Sequence, residues 1–185
     1  MSATKDYVIW FMEKYGDLDE DDGFSKAWEF FADDLDEKVL WREDDPPEHD
    51  VFLSYSWDDK DAARQLVGEL VKVGLRVWFD EQAYAGDDIR GRLIVYRLLH
   101  AGIATSLAGL ALVTRSFLTK QWTLHETRGL HRHGRLRAVI VDGVDRDEAL
   151  AVLDADPAGV LVLDRARLSP PELAARVALE VRGTT

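Results

Sequence analysis

From residue 50 onward the chain repeats one pattern: a short apolar run without polar alternation, then a longer stretch with apolar positions at helical spacing. Val51, Phe52 and Leu53 form the first such run, which ends abruptly in Ser54-Tyr-Ser-Trp57 and then in acids. Unbroken apolar runs of this kind suit a strand covered on both faces, and Asp58 or Asp59 can accept the free N–H groups of a following helix. The spacing predicts that helix over about 59–73, with Ala63, Leu66, Val67, Leu70 and Val71 on one face and Gly74 ending it. Further strands are expected at 76–79, 110–114, 137–141 and 160–163, and helices from Ile89 toward Leu99, near 122–131 and near 147–153. Ser169-Pro-Pro-Glu172 forms a capping box for a final helix. Five strands alternating with five helices, joined by right-handed crossovers, give an α/β fold. It is a flavodoxin-like parallel sheet of order 2-1-3-4-5 with helices on both faces.

The first 45 residues follow a different pattern. Two helices are predicted on either side of 17–23, the first from Thr4 to Tyr15 and the second after Ser25 with Trp28, Phe31, Leu35 and Val39 near helical spacing. Two short helices cannot bury that many aromatics alone, so this appendage is expected to pack on the main domain or on a protein partner. Pro46 and Pro47 stop the helical region, which makes 46–49 a linker and 50–185 the main domain.

Charge sharpens this division. The chain carries -12 overall, and residues 1–50 hold 17 of its 35 acids but only 5 of its 23 Lys and Arg, so they account for all of it. The remaining 18 acids and 18 bases balance. An acidic segment repels nucleic acid and a balanced one has no net pull on it, so no nucleic-acid partner is expected. The absence of cysteine removes disulfides, thiolate metal sites and a cysteine nucleophile, and suits a reducing cytoplasm. The early apolar run 7–12 is too short to span a bilayer, so no membrane partner is expected either.

Two features suggest metals and neither holds. Aligning Gly23 with the obligatory glycine of an EF-hand loop places Leu18 at the first ligand position, where an oxygen is required, so 17–23 reads as a solvated acidic turn. His125, His131 and His133 lack companions at ligand spacing; with Arg128, Arg132, Arg135 and Arg137 they read as a solvated basic face able to dock the acidic segment. No metal site is expected.

In a 2-1-3-4-5 sheet a ligand binds beyond the carboxyl ends of the first and third strands, where strand order reverses. That selects Ser54-Tyr-Ser-Trp57 and the segment from Arg115 through Lys120-Gln-Trp-Thr-Leu-His-Glu126. On a helix, Trp122 and Glu126 share one face, about 6 Å apart.

These residues carry a family resemblance. The Asp50-Val-Phe-Leu-Ser-Tyr-Ser opening, Arg76-Val-Trp-Phe-Asp80 with the following Ala85-Gly86-Asp87, and Leu112-Val-Thr-Arg-Ser-Phe117 before Lys120-x-Trp122-x-x-x-Glu126 together resemble a TIR (Toll/interleukin-1 receptor) domain of the prokaryotic, NAD-cleaving kind. The resemblance spans about 49–182 and leaves out the first 45 residues. It implies that Glu126 is the catalytic residue of an NAD+ glycohydrolase, with Trp122 and Lys120 beside it. It also implies that Tyr55, Ser56, Trp57 and the loop 80–88 from Asp80 border the NAD+ site, that NAD+ is substrate with no cofactor, and that activity follows assembly with itself or other TIR domains, as in a bacterial defence or effector protein. Between Gly86 and the third strand the chain has several residues more than the family pattern needs, where an assembly surface would form.

Trp-x-x-x-Glu alone is a weak signal, with roughly 0.4 matches expected by chance at this composition. Its position after the third strand strengthens it. The chemistry needs little more than one carboxylate, because nicotinamide leaves as a neutral ring; Glu126 would hold the ribose hydroxyls and stabilise the oxocarbenium-like charge. Trp122 could wall the pocket, and Lys120 or Arg115 could offset phosphate charge. Plainer readings stand beside these: Glu126 on a solvated helix face, Trp122 as core, Ser54 and Tyr55 ending a strand, Asp80 starting a turn. The alternative function is a TIR scaffold that assembles and cleaves nothing, and a third is a subunit whose nucleotide product activates another protein.

Overall fold

In a computed structural model of the chain, the structure describes residues 47–80, 102–132, 134–156 and 158–183, with the backbone alone for Gln121, Trp122, His125 and Arg132. The acidic segment 1–45 with its turn 17–23, the loop 81–88 and the helix expected from Ile89 lie outside the described residues. The chain divides into two compact units. The larger comprises His49–Val77 and Leu107–Thr185; of the smaller, residues 47–48, 78–80 and 102–106 are described.

The strands are β1 (His49–Tyr55), β2 (Val77–Trp78), β3 (Ser106–Val113), β4 (Leu136–Val141) and β5 (Leu161–Asp164). They form one sheet in the order β2-β1-β3-β4-β5, the expected one. The β3–β4 and β4–β5 pairs are parallel, and Val113, Val141 and Asp164 fall in register, so the carboxyl ends of these three strands line up. Val51, Phe52, Leu53, Leu110 to Val113 and Ala138 to Val141 are buried, as unbroken apolar runs in a doubly covered sheet should be.

The helices are α1 (Lys60–Lys72), α2 (Arg115–Thr119), α3 (Gln121–Arg132), α4 (Arg146–Leu153) and α5 (Pro170–Arg182). α1 packs on β1 and against α5, while α3 packs on β1 and β4 and against α4. Gly74, with φ +85°, ends α1 in a conformation that costs other residues a Cβ clash. Ser169 N–H donates to Glu172 Oε2 at 2.9 Å, the returning half of the capping box read from the sequence.

Three details differ from the sequence reading. Val71 is 55% exposed, because the buried stripe of α1 is Ala63, Leu66, Val67 and Leu70 and position 71 lies about a quarter-turn off its centre. β3 begins four residues before the expected Leu110, through Ser106-Leu-Ala-Gly, whose small residues carry little strand propensity. Packing explains Gly109: a Cβ there would sit 2.5 Å from Leu130 Cδ1 of α3, so a bare backbone lets α3 approach the strand. Finally, the segment expected as a loop before α3 contains α2, whose cap is Thr114 rather than a strand end. The Thr114 hydroxyl accepts Phe117 N–H at 3.0 Å, and Phe117 is buried beneath the turn.

Candidate active site

The strand order reverses between β1 and β3, and side chains beyond their carboxyl ends are bonded across the gap. Along β1, successive side chains alternate faces, so Ser54 and Ser56 share one side and Tyr55 takes the other. Ser54, 1% exposed, donates its hydroxyl hydrogen to Oε2 of Glu126 on α3 at 2.6 Å. Glu126 is itself only 9% exposed. A buried carboxylate is costly unless polar groups meet it, and a hydrogen bond to a charged acceptor contributes about 1.5–3 kcal/mol. Thr123 and Thr127, buried on the same helix, donate to main-chain carbonyls at 2.6 Å each and so satisfy themselves within the chain.

Outside this pair lies a ring of polar contacts. Ser56 caps a single 3-10 turn, Trp57–Asp59, that leads into α1. Ser116 Oγ of α2 donates to Asp58 Oδ2 at 2.7 Å, so in the 2.7 Å contact between the two serine hydroxyls the proton comes from Ser56. Lys120 Nζ lies 3.0 Å from the same Asp58 oxygen. The Ser116 hydroxyl and then the Lys120 ammonium hold the Asp58 carboxyl below its usual pKa. Thr114 Oγ1 donates to Asp59 Oδ2 at 2.5 Å, which ties the 3-10 turn to the cap of α2. Arg115 Nη1 reaches Glu148 Oε1 of α4 at 2.5 Å.

Of the residues singled out by the sequence, Glu126, Ser56, Lys120 and Arg115 therefore gather around the ends of β1 and β3. Tyr55 is buried and faces away from Ser54 and Ser56. Trp57 is 57% exposed, with Lys60 Nζ 4.3 Å from its ring centroid, a cation–π contact on the outer surface. Trp122 lies one turn before Glu126 on α3, its side chain outside the described residues. Asp80 follows β2, half-buried, in the smaller unit. From the sequence Ser54 is not visible as a partner of Glu126, Asp58 or Asp59 reads only as a helix cap, and Thr114 and Ser116 do not stand out as site residues. Their signal was a cluster of small hydroxyls and acids at two strand ends, which ordinary caps also produce.

A cavity of about 400 Å³ lies elsewhere, beyond the ends of β4 and β5. Its arginines, Arg146, Arg167 and Arg176, share it with Asp145 and Asp164, and Asp164 pairs Arg167 at 2.9 Å. The expected basic face is only partly solvated: Arg128 is exposed, whereas burial pushes Arg135 down to about 10. Among the described residues no cluster of three or more His, Cys, Asp or Glu side chains is arranged to hold a metal ion, and no helix is long and apolar enough to cross a membrane.

A parallel 2-1-3-4-5 sheet with a buried carboxylate at its reversal point defines an α/β domain of the doubly wound type, in which that point is the usual place for a ligand. More narrowly, the chain belongs to the TIR domain family, whose profile matches residues 51–174, more than half of its length. It is similar to the NAD(+) hydrolase TcpC of Escherichia coli O6:H1, 34% identical over 84 residues, which cover 44% of this chain and 25% of that protein. It is also similar to the NAD(+) hydrolase PdTIR of Paracoccus denitrificans, 32% identical over 108 residues, or 55% of this chain and 34% of the other. A third relative is the 2' cyclic ADP-D-ribose synthase AbTIR of Acinetobacter baumannii, 34% identical over 86 residues, 45% and 30% of the two chains. The matched stretch thus spans a quarter to a third of these relatives' own length.

Proposed function

We propose that this chain is an NAD+ glycohydrolase whose catalytic residue is Glu126. The observation that carries the reading is a buried carboxylate held by Ser54, the penultimate residue of β1, near the strand ends where such a sheet takes its ligand. In the reaction the bond between the ribose anomeric carbon and the nicotinamide nitrogen breaks. Its electron pair neutralises the pyridinium, and the positive charge passes to the sugar. Glu126 stabilises that charge and orients the ribose hydroxyls. Water then adds and loses a proton to give ADP-ribose, or a hydroxyl of the ADP-ribose itself adds to give a cyclic isomer. Both outcomes fit the family, since relatives carry both names.

Trp122, Ser56, Trp57 and Asp80 are substrate-contact residues in this proposal, Lys120 and Arg115 meet the diphosphate, and Tyr55, buried on the other side of β1, supports the strand end and does not face the substrate. Assembly with itself or other TIR domains, a cytoplasmic setting and a bacterial defence or effector role belong to the same reading, with 1–45 as a partner-binding appendage joined by 46–49 to the domain.

One observation favours the scaffold reading instead: both of those cations are already paired, Lys120 with Asp58 and Arg115 with Glu148. Incubation of purified protein with NAD+ at low and high protein concentration, with the products resolved by chromatography, separates the two. Release of nicotinamide, greater per molecule in the concentrated sample, is expected of the assembled enzyme. No nicotinamide at any concentration leaves the scaffold.

A further inference from the structure

We propose that Ser54 is a positioning residue for Glu126, a role that rests on the reading of Glu126 as the catalytic carboxylate. β1 is apolar and buried through Val51, Phe52 and Leu53, and a hydroxyl at the next position is unfavourable there unless it is bonded. Ser54 is 1% exposed, and the partner of its hydroxyl is Glu126 Oε2 at 2.6 Å. The strand itself asks for no hydroxyl at this position, so the hydroxyl answers the carboxylate.

The carboxylate needs such a partner. Glu126 sits on a helix, and its side chain has three rotatable bonds that each offer staggered alternatives. Its buried threonine neighbours one turn back and one residue on, Thr123 and Thr127, spend their hydrogens on Phe117 and Thr123 carbonyls. Ser54 comes from an inner β-strand of the sheet, between β2 and β3, hydrogen-bonded on both sides. The bond therefore fixes one carboxylate oxygen in register with the sheet. Misplacing a reacting group by about 1 Å can lower a rate by about 100-fold. Removing this bond takes the sheet-borne donor from that oxygen while leaving the outer polar contacts of Asp58, Ser116 and Lys120 in place.

The test compares wild type with Ser54→Ala, Ser54→Thr and Glu126→Gln, all shown folded by thermal melting. Alanine is smaller than serine and strand-compatible at a buried position, so Ser54→Ala should fold. With NAD+ as substrate, Ser54→Ala is expected to lower kcat about 10- to 100-fold with KM within about twofold, and Ser54→Thr, which keeps the donor, to recover most of the loss. The acid limb of the kcat–pH profile should move to higher pH in Ser54→Ala, because the ionised carboxylate has lost a donor. The same shift is expected in a carbon-13 NMR titration of the Glu126 carboxylate, identified by its absence in Glu126→Gln, and this readout needs no turnover. Unchanged kcat and an unmoved titration in Ser54→Ala would overturn the positioning role. Full activity in Glu126→Gln would instead overturn the functional reading, whatever Ser54 does.

Discussion

Ser54 and Glu126 stand 72 positions apart in the chain and 2.6 Å apart between β1 and α3, donor to acceptor, both buried. A bond of that kind couples β1 to α3 energetically as well as geometrically. In a double-mutant cycle of Ser54→Ala and Glu126→Ala, which removes donor and acceptor in turn, urea unfolding should give a coupling energy of about 1–3 kcal/mol. Additive effects would mean the two side chains do not sense each other.

Gly109 governs how closely α3 approaches the sheet. Since a Cβ there would collide with the buried Leu130 side chain, one turn beyond Glu126 on the same face, Gly109→Ala is expected to push the helix outward. The expected cost is about 1–3 kcal/mol in denaturant unfolding, with Ser54 and Glu126 drawn apart. A variant as stable as wild type would show that Leu130 can turn aside instead.

Asp50 secures the opposite end of β1. Its Oδ1 meets Arg76 Nη2 at 2.7 Å and its Oδ2 accepts Arg76 main-chain N–H at 2.7 Å. Burial alone would push the Asp50 carboxyl up, but the Arg76 hydrogen bonds and charge outweigh it and hold the group below its usual value. A depressed carboxylate stabilises the fold above its unfolded pKa of about 4, and that stability disappears as pH falls through the folded value. Because Arg76 is half-exposed, the effect is modest. Asp50→Asn should cost about 1 kcal/mol at pH 7 and progressively less below pH ~4. An equal cost at pH 7 and pH 3 would assign the effect to shape and not to charge.

Lys120 is held by Asp58, so any substrate phosphate must compete for it. Lys120→Ala should raise KM for NAD+ about two- to fivefold, and Asp58→Asn, which frees the ammonium, should lower it by a similar factor. Steady-state kinetics at constant ionic strength reads both. A raised KM in Asp58→Asn would mean that Asp58 orients Lys120 for the substrate and does not compete with it.

The sheet was legible in the sequence because Val51 to Leu53 and Val139 to Val141 are apolar without alternation, a signal that strand burial on both faces imposes directly. The reversal point follows from the order, and with it the segments 54–57 and 115–126; within the second, the family resemblance singles out Glu126 and Lys120. The start of β3 is not legible because Gly109, bare so that Leu130 of α3 can approach, carries little strand propensity, and local propensity cannot see a partner helix. α2 was missed for a similar reason: Thr114 closes a strand run by pattern but caps a helix by hydrogen bonding. Ser54 was visible as a residue and invisible as a partner, since nothing local connects positions 54 and 126. Only the folded sheet brings them together.

The central claim is that the Glu126 carboxylate cleaves NAD+. The most direct measurement is nicotinamide release from NAD+ by wild type and by Glu126→Gln at equal, high protein concentration, with thermal melts showing both folded. The account predicts nicotinamide with ADP-ribose or its cyclic isomer from wild type and a rate at least about 100-fold lower from Glu126→Gln, the loss expected when the group that stabilises the transition-state charge is removed. Equal release by both proteins would contradict it.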